Sequence, residues 1–230
     1  MSAAATATDV RRMRGEDAAA AAAVHVRAFP GFFLTSLGER FLRVFYRACA
    51  DFTGGVALVA ESGGSVVGFV VGAADHEAFH RYMRRRWILA LGLAAVPAII
   101  AKPAIVWRFV RALLSRGPQM PAAAGALLMS IAVDPAAGQR GAGRQLVGAF
   151  GEELRRLGCR EYRLTTDRDN NERVNAFYAA AGMVLETAHQ TAQGRWMNRY
   201  VCSLDGAAAR AAVDERIGHG SSHRLVRVGG

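Results

Sequence analysis

The segment SIAVDPAAGQRGAGRQL, from Ser130 to Leu146, decides how the chain is interpreted. An apolar run ends at Val133, and a pattern typical of an amphipathic helix begins near Gly143, with further glycines between them. Glycine lets a backbone approach an anion closely, and the free N–H groups at the start of a helix attract negative charge. The segment therefore predicts a strand, an anion-binding loop and a helix.

Two common phosphate-binding motifs do not fit this loop. A Walker loop needs a lysine after its last glycine, but Arg144 stands there and Lys102 is the only lysine of the chain. A dinucleotide fingerprint needs a third glycine where Leu146 stands, and it opens the first βαβ unit of its fold. What remains is a loop whose backbone amides hold a pyrophosphate at a helix start, or a glycine-rich turn that binds no ligand.

The rest of the chain alternates between strand and helix patterns. The expected strands are Asp9–Met13, Val56–Glu61, Val66–Ala73, the apolar run before Asp134, and the segments CREYRLTTD, MVLETA and RWMNRYVCSL. The expected helices are Asp17–Ala28, Leu37–Ala50, Gly143–Leu157 and Asn171–Ala181. The segment FPGFFLTSLG is expected to be a loop, and a helical insertion is expected at about 76–124.

A second segment, NERVNAFYAAAGM from Asn171 to Met183, follows the glycine loop with a helix and a strand between them. Together the two segments resemble the GNAT superfamily of acyl-CoA-dependent N-acyltransferases, matching its V-x-P-x-x-R/Q-x-x-G-x-G-x-x-L and N-x-x-A-x-x-F/L-Y-x-x-x-G-F patterns. Three positions depart from these patterns: Gly138, Val174 and Met183. Gly138 loses one side-chain contact to the cofactor but keeps the backbone amides.

The resemblance implies an α/β (α+β) fold with a central mixed, mostly antiparallel sheet flanked by helices. The expected organisation is a single N-acetyltransferase domain at 1–204, whose helical insertion precedes the fourth strand. Residues 205–230 are polar and are expected to be a disordered tail.

The resemblance also implies the cofactor and its contacts. Acetyl-CoA is the expected co-substrate. Its pyrophosphate is expected on the backbone amides of Arg140, Gly141, Ala142, Gly143 and Arg144. Its pantetheine arm is expected on the backbone of Ile131, Ala132 and Val133. Asn171 is expected to help hold the cofactor, and it also suits a helix cap.

Amide formation from a thioester needs a neutral amine, attack on the carbonyl and a proton for the departing thiolate. Tyr178 matches the tyrosine of the family that faces the thioester sulfur, and a phenol can donate that proton. The alternative is a tyrosine that only packs on a helix face. Ser130, Asp167 and Glu186 lie on or beside strands as candidate bases, and a chain of water molecules is another route for the proton.

The segment HEAFH, from His76 to His80, contains the H-E-x-x-H pattern of zinc proteases. A third ligand is missing, because Met83 and Arg86 occupy the places of one completing motif and no acidic residue follows before Asp134. No metal site is therefore expected. The two histidines are instead expected at a solvated helix start, or beside the acceptor cleft as an assisting base.

Charge is concentrated in one part of the chain. The net charge is +10, and eight basic residues but no acidic one lie between Glu77 and Asp134. The remainder is nearly neutral, so nucleic acid is not an expected partner. Cys49, Cys159 and Cys202 form no CxxC motif, and the N-terminus lacks the apolar stretch of a signal peptide. We therefore expect a cytoplasmic protein.

The expected acceptor is a primary amine of a small molecule. The loop HVRAFPGFFLTSLGERF is apolar and aromatic, with His25, Thr35 and Ser36 as its few polar groups. It has no acidic cluster for a polycation, and an arginine-rich rim favours an acceptor with phosphate or carboxylate, such as a nucleotide-linked amino sugar. Acetylation of a protein or peptide amine, or a non-catalytic CoA-binding module, are the alternatives.

The insertion has a composition of its own in RRRWILALGLAAVPAIIAKPAIVWRFVRALLSR, from Arg84 to Arg116. Its apolar run of fifteen residues, Trp87–Ala101, is shorter than the ~20 residues of a spanning helix. Pro97 and Pro103 predict two helices with a break. Two functions remain open: a lid over the acceptor site, or a peripheral contact with the inner membrane face.

Overall fold

The computed structural model describes residues 8–101, 125–137, 141–191 and 194–205. Within them seven strands form one open sheet in the order β1-β2-β3-β4-β5-β7-β6. The strands are β1 (Asp9–Arg12), β2 (Gly55–Ser62), β3 (Ser65–Ala73), β4 (Ala126–Val133), β5 (Glu161–Asp167), β6 (Val184–Gln190) and β7 (Trp196–Ser203). Only β4 and β5 are parallel neighbours. The predicted mixed, mostly antiparallel sheet is confirmed.

Helices cover both faces of this sheet. They are α1 (Ala18–Ala28), α2 (Phe33–Ser36), α3 (Glu39–Asp51), α4 (His76–Tyr82), α5 (Ile88–Ala101), α6 (Ala142–Arg156) and α7 (Glu172–Ala180). Helices α1, α3 and α5 share one apolar core with one side of β2, β3 and β4. We call this side of the sheet the α1–α3 face. Helices α6 and α7 share a second core with the other side, the α6–α7 face.

The α6–α7 face is close-packed because β3 carries glycines where α6 crosses it. Helix α6 presents Leu146, Phe150 and Leu154 from one side, and all three are fully buried. A Cβ at Gly72 would lie 2.5 Å from the Phe150 ring and 2.3 Å from the carbonyl oxygen of Leu127. Only a glycine leaves room there for both the ring and the neighbouring strand.

Strand β4 is irregular in two ways that matter for the site. Val71 of β3 pairs with Ser130, whereas the next residue, Gly72, pairs with Leu128, so Met129 is an extra residue in a bulge. Bulges re-aim side chains and are frequent beside active sites. On its other edge β4 pairs with β5 only at Ala126 and Leu127, after which the two strands separate.

Several elements differ from the sequence-based expectation. The segment expected to be a loop contains the short helix α2. Helix α5 continues through Pro97, so the predicted break there is wrong. Proline has no backbone N–H, so the Leu93 carbonyl loses its helical hydrogen-bond donor. Because Leu93 and Pro97 are both on the exposed side of the helix, solvent can bind the Leu93 carbonyl instead.

Parts of the expected organisation fall outside the described residues. These are the break at Pro103, the rest of the insertion at 102–124, and residues 206–230 of the expected tail. The insertion begins as expected directly after β3, with α4, a single π-helical turn at Met83–Trp87, and α5. In the described part of the chain, none of the helices combines the length and apolarity needed to cross a bilayer.

Candidate active site

The separation of β4 and β5 opens a gap in the middle of the sheet. Both strands continue after their last paired residues, Leu127 and Arg163, to Val133 and Asp167. Along this stretch the backbone groups that β4 and β5 turn towards each other are not used by a strand partner, so they can bind an extended ligand. Ile131, Ala132 and Val133, expected to contact a pantetheine arm, line the β4 side of this gap.

The glycine loop lies at the end of the gap where β4 finishes. Gly141 has φ +100°, a conformation that favours glycine, and it starts α6. The Gln145 amide bonds the carbonyl of Gly141, so the amides of Ala142, Gly143 and Arg144 precede the first helical hydrogen bond. These three amides and the helix dipole form an anion-binding end. Arg140, the remaining predicted contact, lies outside the described residues.

An ion pair fixes the start of this loop to the first helix. Arg27 of α1 donates to the Asp134 carboxylate from Nε at 2.9 Å and from Nη2 at 2.6 Å. The same carboxylate accepts from the Ala136 amide at 2.9 Å. The Arg27 hydrogen bonds, followed by that backbone bond, lower the pKa of Asp134, so the carboxylate stays ionised. The end of β4 is therefore held in one position relative to α1.

The second motif segment approaches the glycine loop through α7. A Cβ at Gly143 would lie 3.5 Å from the Phe177 ring, so the middle of α7 packs on the first turn of α6. Asn171 precedes α7, and its Nδ2 donates to Thr166 Oγ1 and to the Asp167 carbonyl, both at 2.9 Å. Asn171 thus ties the start of α7 to the end of β5, and its Oδ1 makes no capping bond to the helix.

Asn175 orients α7 and was missed by the sequence analysis. Its Nδ2 donates to the carbonyls of Asp167 and Asn171, at 3.0 and 2.9 Å. Its Oδ1 accepts from Asn198 Nδ2 at 3.0 Å and from Tyr200 Oη at 2.9 Å. The sequence shows a polar residue one turn after Asn171, but it does not show the role of Asn175, because the partners of this side chain on β7 are far away in sequence.

Tyr178, the predicted acid, lies on the buried side of α7. Its ring is 5.8 Å from that of Tyr200, centroid to centroid. Burial, with a smaller contribution from Tyr200, raises the pKa of Tyr178 to about 12. The phenol therefore stays protonated at neutral pH, as a proton donor must.

A buried polar chain reaches the gap from the α1–α3 face. Ser130, at the β4 bulge, interacts with the Tyr46 side chain and partly offsets the rise that burial causes in the pKa of Tyr46, and Tyr46 Oη lies 2.5 Å from His25 Nδ1. His25 was expected to be a polar group of the acceptor loop, which is wrong: it is 2% exposed and stacks on Phe69 inside the core. Burial lowers the pKa of His25 to about 4, so the ring is neutral.

Thr165, on the stretch of β5 that has left β4, was also missed. Its Oγ1 is buried, and it finds no hydrogen-bond partner among the described residues. Tyr162 and Leu164 of β5 belong to the α6–α7 core, so alternation places Thr165 on the opposite side, where Ser130 also lies. The two edges of the gap each carry one hydroxyl on this side. Polar residues that alternate with apolar ones are common in strands, so the sequence pattern alone could not identify Thr165 as a group beside the gap.

The two carboxylates considered as bases are each engaged by arginine. Asp167 binds Arg195 through both oxygens, at 2.6 and 2.7 Å. Glu186 contacts Arg163 Nε at 3.1 Å and Arg199 Nε at 2.6 Å. Burial alone would raise the pKa of Glu186, but hydrogen bonds and charge from the two arginines lower it overall. The lowered pKa makes Glu186 a weaker base than a free carboxylate, and both oxygens of Asp167 are occupied by Arg195.

The histidines of HEAFH lie away from the glycine loop. The His76 amide bonds the Gly125 carbonyl, just before β4 begins, whereas the loop follows the end of β4. The Nε2 atoms of His76 and His80 are 3.1 Å apart. Thr35 and Ser36 are the other polar groups of the acceptor loop, and their hydroxyls donate to the backbone carbonyls of Phe29 and Phe33 respectively. Among the residues described, no three His, Cys, Asp or Glu side chains converge as a metal site would require.

The sequence of the site matches a known family. The model of the acetyltransferase (GNAT) family matches residues 108–183, a range that contains both the glycine loop and the second motif segment. A search of curated proteins finds no significant relative.

Solved structures share the fold at low sequence identity. The ribosomal-protein-S18-alanine N-acetyltransferase from Escherichia coli superposes with a TM-score of 0.54 at 15% identity, covering 86% of this chain and 94% of its own. The protein yncA from Salmonella typhimurium, solved with its cofactor acetyl-CoA, gives 0.54 at 15% identity and covers 87% and 95%. A mutant of agmatine N-acetyltransferase in its apo form gives 0.53 at 17% identity and covers 85% and 99%.

Proposed function

Because residues 108–183 match the model of the acetyltransferase (GNAT) family and the fold is shared with solved N-acetyltransferases, we propose that the chain acetylates a primary amine of a small molecule with acetyl-CoA. One observation carries this proposal. The glycine loop follows the end of β4 beside the opening between β4 and β5, and α7 packs on the start of α6 through Phe177, the neighbour of Tyr178. Those are the parts that an acyl-CoA thioester and its leaving thiolate require.

The cofactor is held mainly by backbone groups in this proposal. The amides of Ala142, Gly143 and Arg144, with Arg140 and Gly141 before them, bind the pyrophosphate. Ile131 to Val133 bind the pantetheine arm as an added strand would, through the unused edge of β4. Asn171 contributes indirectly, because its amide nitrogen is already committed to Thr166 and Asp167.

Tyr178 donates the proton that the departing thiolate needs. Its raised pKa keeps the hydroxyl protonated, and burial strengthens a hydrogen bond to an anionic sulfur. The buried ring has little freedom to move, because Phe177 and Tyr200 lie against it. The leaving group therefore meets a donor that is already in place.

The proton of the attacking amine leaves on the other side of the gap. Of the three candidate bases, Ser130 is the one not paired with an arginine, and its side chain interacts with that of Tyr46. We assign Ser130 the role of accepting a hydrogen bond from the amine and passing its proton to solvent. Thr165 Oγ1, buried and unpartnered within the described residues, is a second contact for the acceptor.

The described charges disfavour a polycationic acceptor. The acidic side chains at the ends of β4 and β5, Asp134 and Asp167, each form an ion pair with an arginine. A polyamine would find no free carboxylate among them. We therefore propose an acceptor that carries phosphate or carboxylate, such as a nucleotide-linked amino sugar.

Calorimetric titration with acetyl-CoA tests the proposal most directly. Binding at submillimolar concentration is expected, and desulfo-CoA should bind with similar affinity because the phosphates and pantetheine carry the contacts. Absence of binding by both would contradict the proposal. A screen of amines that follows released CoA then separates the remaining functions.

Each outcome of that screen has a meaning. Turnover of anionic amines supports the proposed acceptor class, and turnover only of polycationic amines contradicts it. Turnover only of peptides with a free N-terminus would favour protein acetylation, the activity named for the Escherichia coli structure. Tight cofactor binding without turnover on any amine would indicate a non-catalytic CoA-binding module.

We propose the cytoplasm as the compartment of the enzyme. Cys49, Cys159 and Cys202 are all free thiols in the structure, which suits a reducing environment. Fractionation of the native host, with the enzyme followed by antibody, checks this. The peripheral membrane contact expected from the sequence involves a different surface, on α5.

A further inference from the structure

Helix α5 has an apolar stripe on its outer side. Leu89, Leu93, Val96 and Ile100 follow one another at helical spacing and are 80, 68, 41 and 76% exposed. The opposite side of the helix, with Leu91, Ala94 and Ala95, is buried in the α1–α3 core. The core therefore fixes the orientation of α5, and its stripe faces outward over the described part of the chain.

Three consecutive arginines precede this stripe. Arg84, Arg85 and Arg86 lie in the π-helical turn at Met83–Trp87, and all three are exposed. In the ranges that the structure covers, none of them has a carboxylate partner, whereas Arg81, one turn earlier, contacts Asp75 and Glu77. The charge of the turn is thus uncompensated where the apolar stripe begins.

Trp87 stands between the arginines and the stripe. It is half-buried, and its Nε1 donates to the Tyr82 hydroxyl at 2.9 Å. Aromatic rings with one polar and one apolar end are typical of the boundary between lipid headgroups and acyl chains. The order along the helix is therefore cation, aromatic ring and apolar stripe.

The chain around α5 cannot neutralise these arginines. From Ala78 to Val133 the sequence contains no Asp or Glu, and residues 102–124 add Lys102, Arg108, Arg111 and Arg116. A partner that presents negative charge and an apolar phase together complements this surface. An anionic bilayer has both, with phosphates at the surface and acyl chains directly beneath.

We propose that α5 docks this protein onto an anionic membrane surface, with the stripe Leu89, Leu93, Val96 and Ile100 among the acyl chains and Arg84–Arg86 on the headgroup phosphates. The helix has fourteen residues, about 21 Å at 1.5 Å per residue, so it lies in the interface rather than across the bilayer. This inference goes beyond the proposed function and does not depend on it.

Vesicle co-sedimentation of the full-length protein tests the proposal. The protein should sediment with vesicles of phosphatidylcholine containing one third phosphatidylglycerol, and it should stay in solution with phosphatidylcholine alone. Binding should weaken as salt is raised, because part of the attraction is electrostatic. Failure to sediment with the anionic vesicles at low salt would overturn the proposal.

Two triple variants separate the apolar and the charged contributions. Leu89→Gln with Leu93→Gln and Ile100→Gln, or Arg84→Gln with Arg85→Gln and Arg86→Gln, should each lower the affinity for anionic vesicles at least tenfold. The melting temperature should stay unchanged in both, because the altered side chains are exposed. Unaltered vesicle affinity in both variants would contradict the proposed surface.

The chain offers matched controls away from α5. Leu157, Val184 and Leu185 are exposed by 43, 42 and 50%, and their triple glutamine variant should keep vesicle affinity. Arg12, Arg156 and Arg160, also exposed, match the loss of three charges. An equal loss of binding in these controls would show that net charge or non-specific hydrophobic adsorption, and not α5, is responsible for vesicle binding.

Other occupants of the stripe give different results, and each would overturn the proposal. If residues 102–124 cover the stripe, the glutamine variants lower the melting temperature and vesicle binding is absent. If a second copy covers it, the parent protein elutes as a dimer and the stripe variant as a monomer.

Fluorescence gives a readout that does not depend on the stripe variants folding. In a chain with Trp107→Phe and Trp196→Phe, the remaining Trp87 should be quenched by lipids brominated near the carboxyl end of the acyl chain. Quenching should be absent with vesicles lacking the anionic lipid. Acetyl-CoA titration of the same samples reports separately on the proposed enzymatic function.

Discussion

The two faces of the sheet contribute different kinds of chemical groups to the proposed site. On the α6–α7 face the proposed site consists of backbone amides, glycines and one phenol, which come from two segments close in sequence. On the α1–α3 face it is made of side chains, His25, Tyr46 and Ser130, which come from a helix, another helix and a strand.

The match to the family model follows this difference in part, because its range includes α6 and α7 but neither α1 nor α3. The phosphates and pantetheine of a common cofactor can be bound by backbone geometry, which constrains glycines and spacing. The acceptor differs between enzymes, so its contacts depend on side chains that the fold brings together individually. The comparison predicts that variants on the two faces should affect different measurements.

Gly72→Ala is expected to have the largest effect, because it affects both faces at once. A Cβ there would clash with the Leu127 carbonyl and the Phe150 ring, so β3 would have to move away from β4 and α6. We expect a loss of about 3 kcal/mol or more in unfolding free energy, measured by chemical denaturation.

Gly92→Ala is the control for Gly72→Ala. Gly92 lies inside α5 and a Cβ there meets no atom within 4 Å. Alanine should stabilise that helix by about 0.5–1 kcal/mol. A Gly72→Ala protein with parental stability would show that β3 can shift without cost.

Part of the pH dependence of stability reports on the α1–α3 face. His25 has its pKa lowered by burial from 6.5 to about 4, so between these values the unfolded chain binds a proton that the folded chain does not. Unfolding free energy should therefore fall as the pH falls through this window, by about 3 kcal/mol at the lower end from this group.

His25→Gln removes that group and should flatten part of the slope. The comparison with the parent is needed because His76 and His80 also have their pKa lowered, by burial first and by neighbouring positive charge second. The difference between the two slopes isolates His25. Identical slopes for both proteins would mean that burial does not lower the pKa of His25.

Most of the fold could be predicted from the sequence, because its elements have regular patterns. Helix α6 begins and ends within a residue of its predicted bounds, since its apolar spacing and flanking glycines are local signals. The position of β7 between β5 and β6 has no local signal, because it depends on pairing between distant segments.

The site divides in the same way. The glycine loop and Tyr178 could be proposed from motifs, although their roles stay predictions. His25 was counted among the polar groups of the acceptor segment, although the expected helix Asp17–Ala28 also contains it. Only the folded chain shows that Tyr46 lies 2.5 Å away and keeps it in the core. Thr165 and Asn175 likewise acquire their surroundings from strands that are remote in sequence.

Tyr178→Phe tests the chemistry of the α6–α7 face. With a confirmed amine, turnover should fall about a hundredfold, because only the proton donor for the thiolate is lost. The affinity for acetyl-CoA should change less than twofold, since the phosphates are bound elsewhere.

Tyr200→Phe is the matched control for Tyr178→Phe. Its ring neighbours that of Tyr178, but its hydroxyl donates to Asn175 and not towards the gap. It should cost about 1 kcal/mol of stability and little turnover. Equal turnover of the Tyr178→Phe protein and the parent would show that another group protonates the thiolate.

Gly141→Ala is expected to have the smallest effect, and it isolates the backbone contribution to cofactor binding. Its φ of +100° strains any other residue, while a Cβ would meet no atom within 4 Å, so the change acts on conformation alone. A strain of about 1–2 kcal/mol should raise the Kd for acetyl-CoA about tenfold in calorimetry. Gly148→Ala, inside the same helix and also in open space, should leave the Kd unchanged. Parental affinity in Gly141→Ala would mean that the amides at the start of α6 do not hold the pyrophosphate, and the contrast between the two faces would then need another basis.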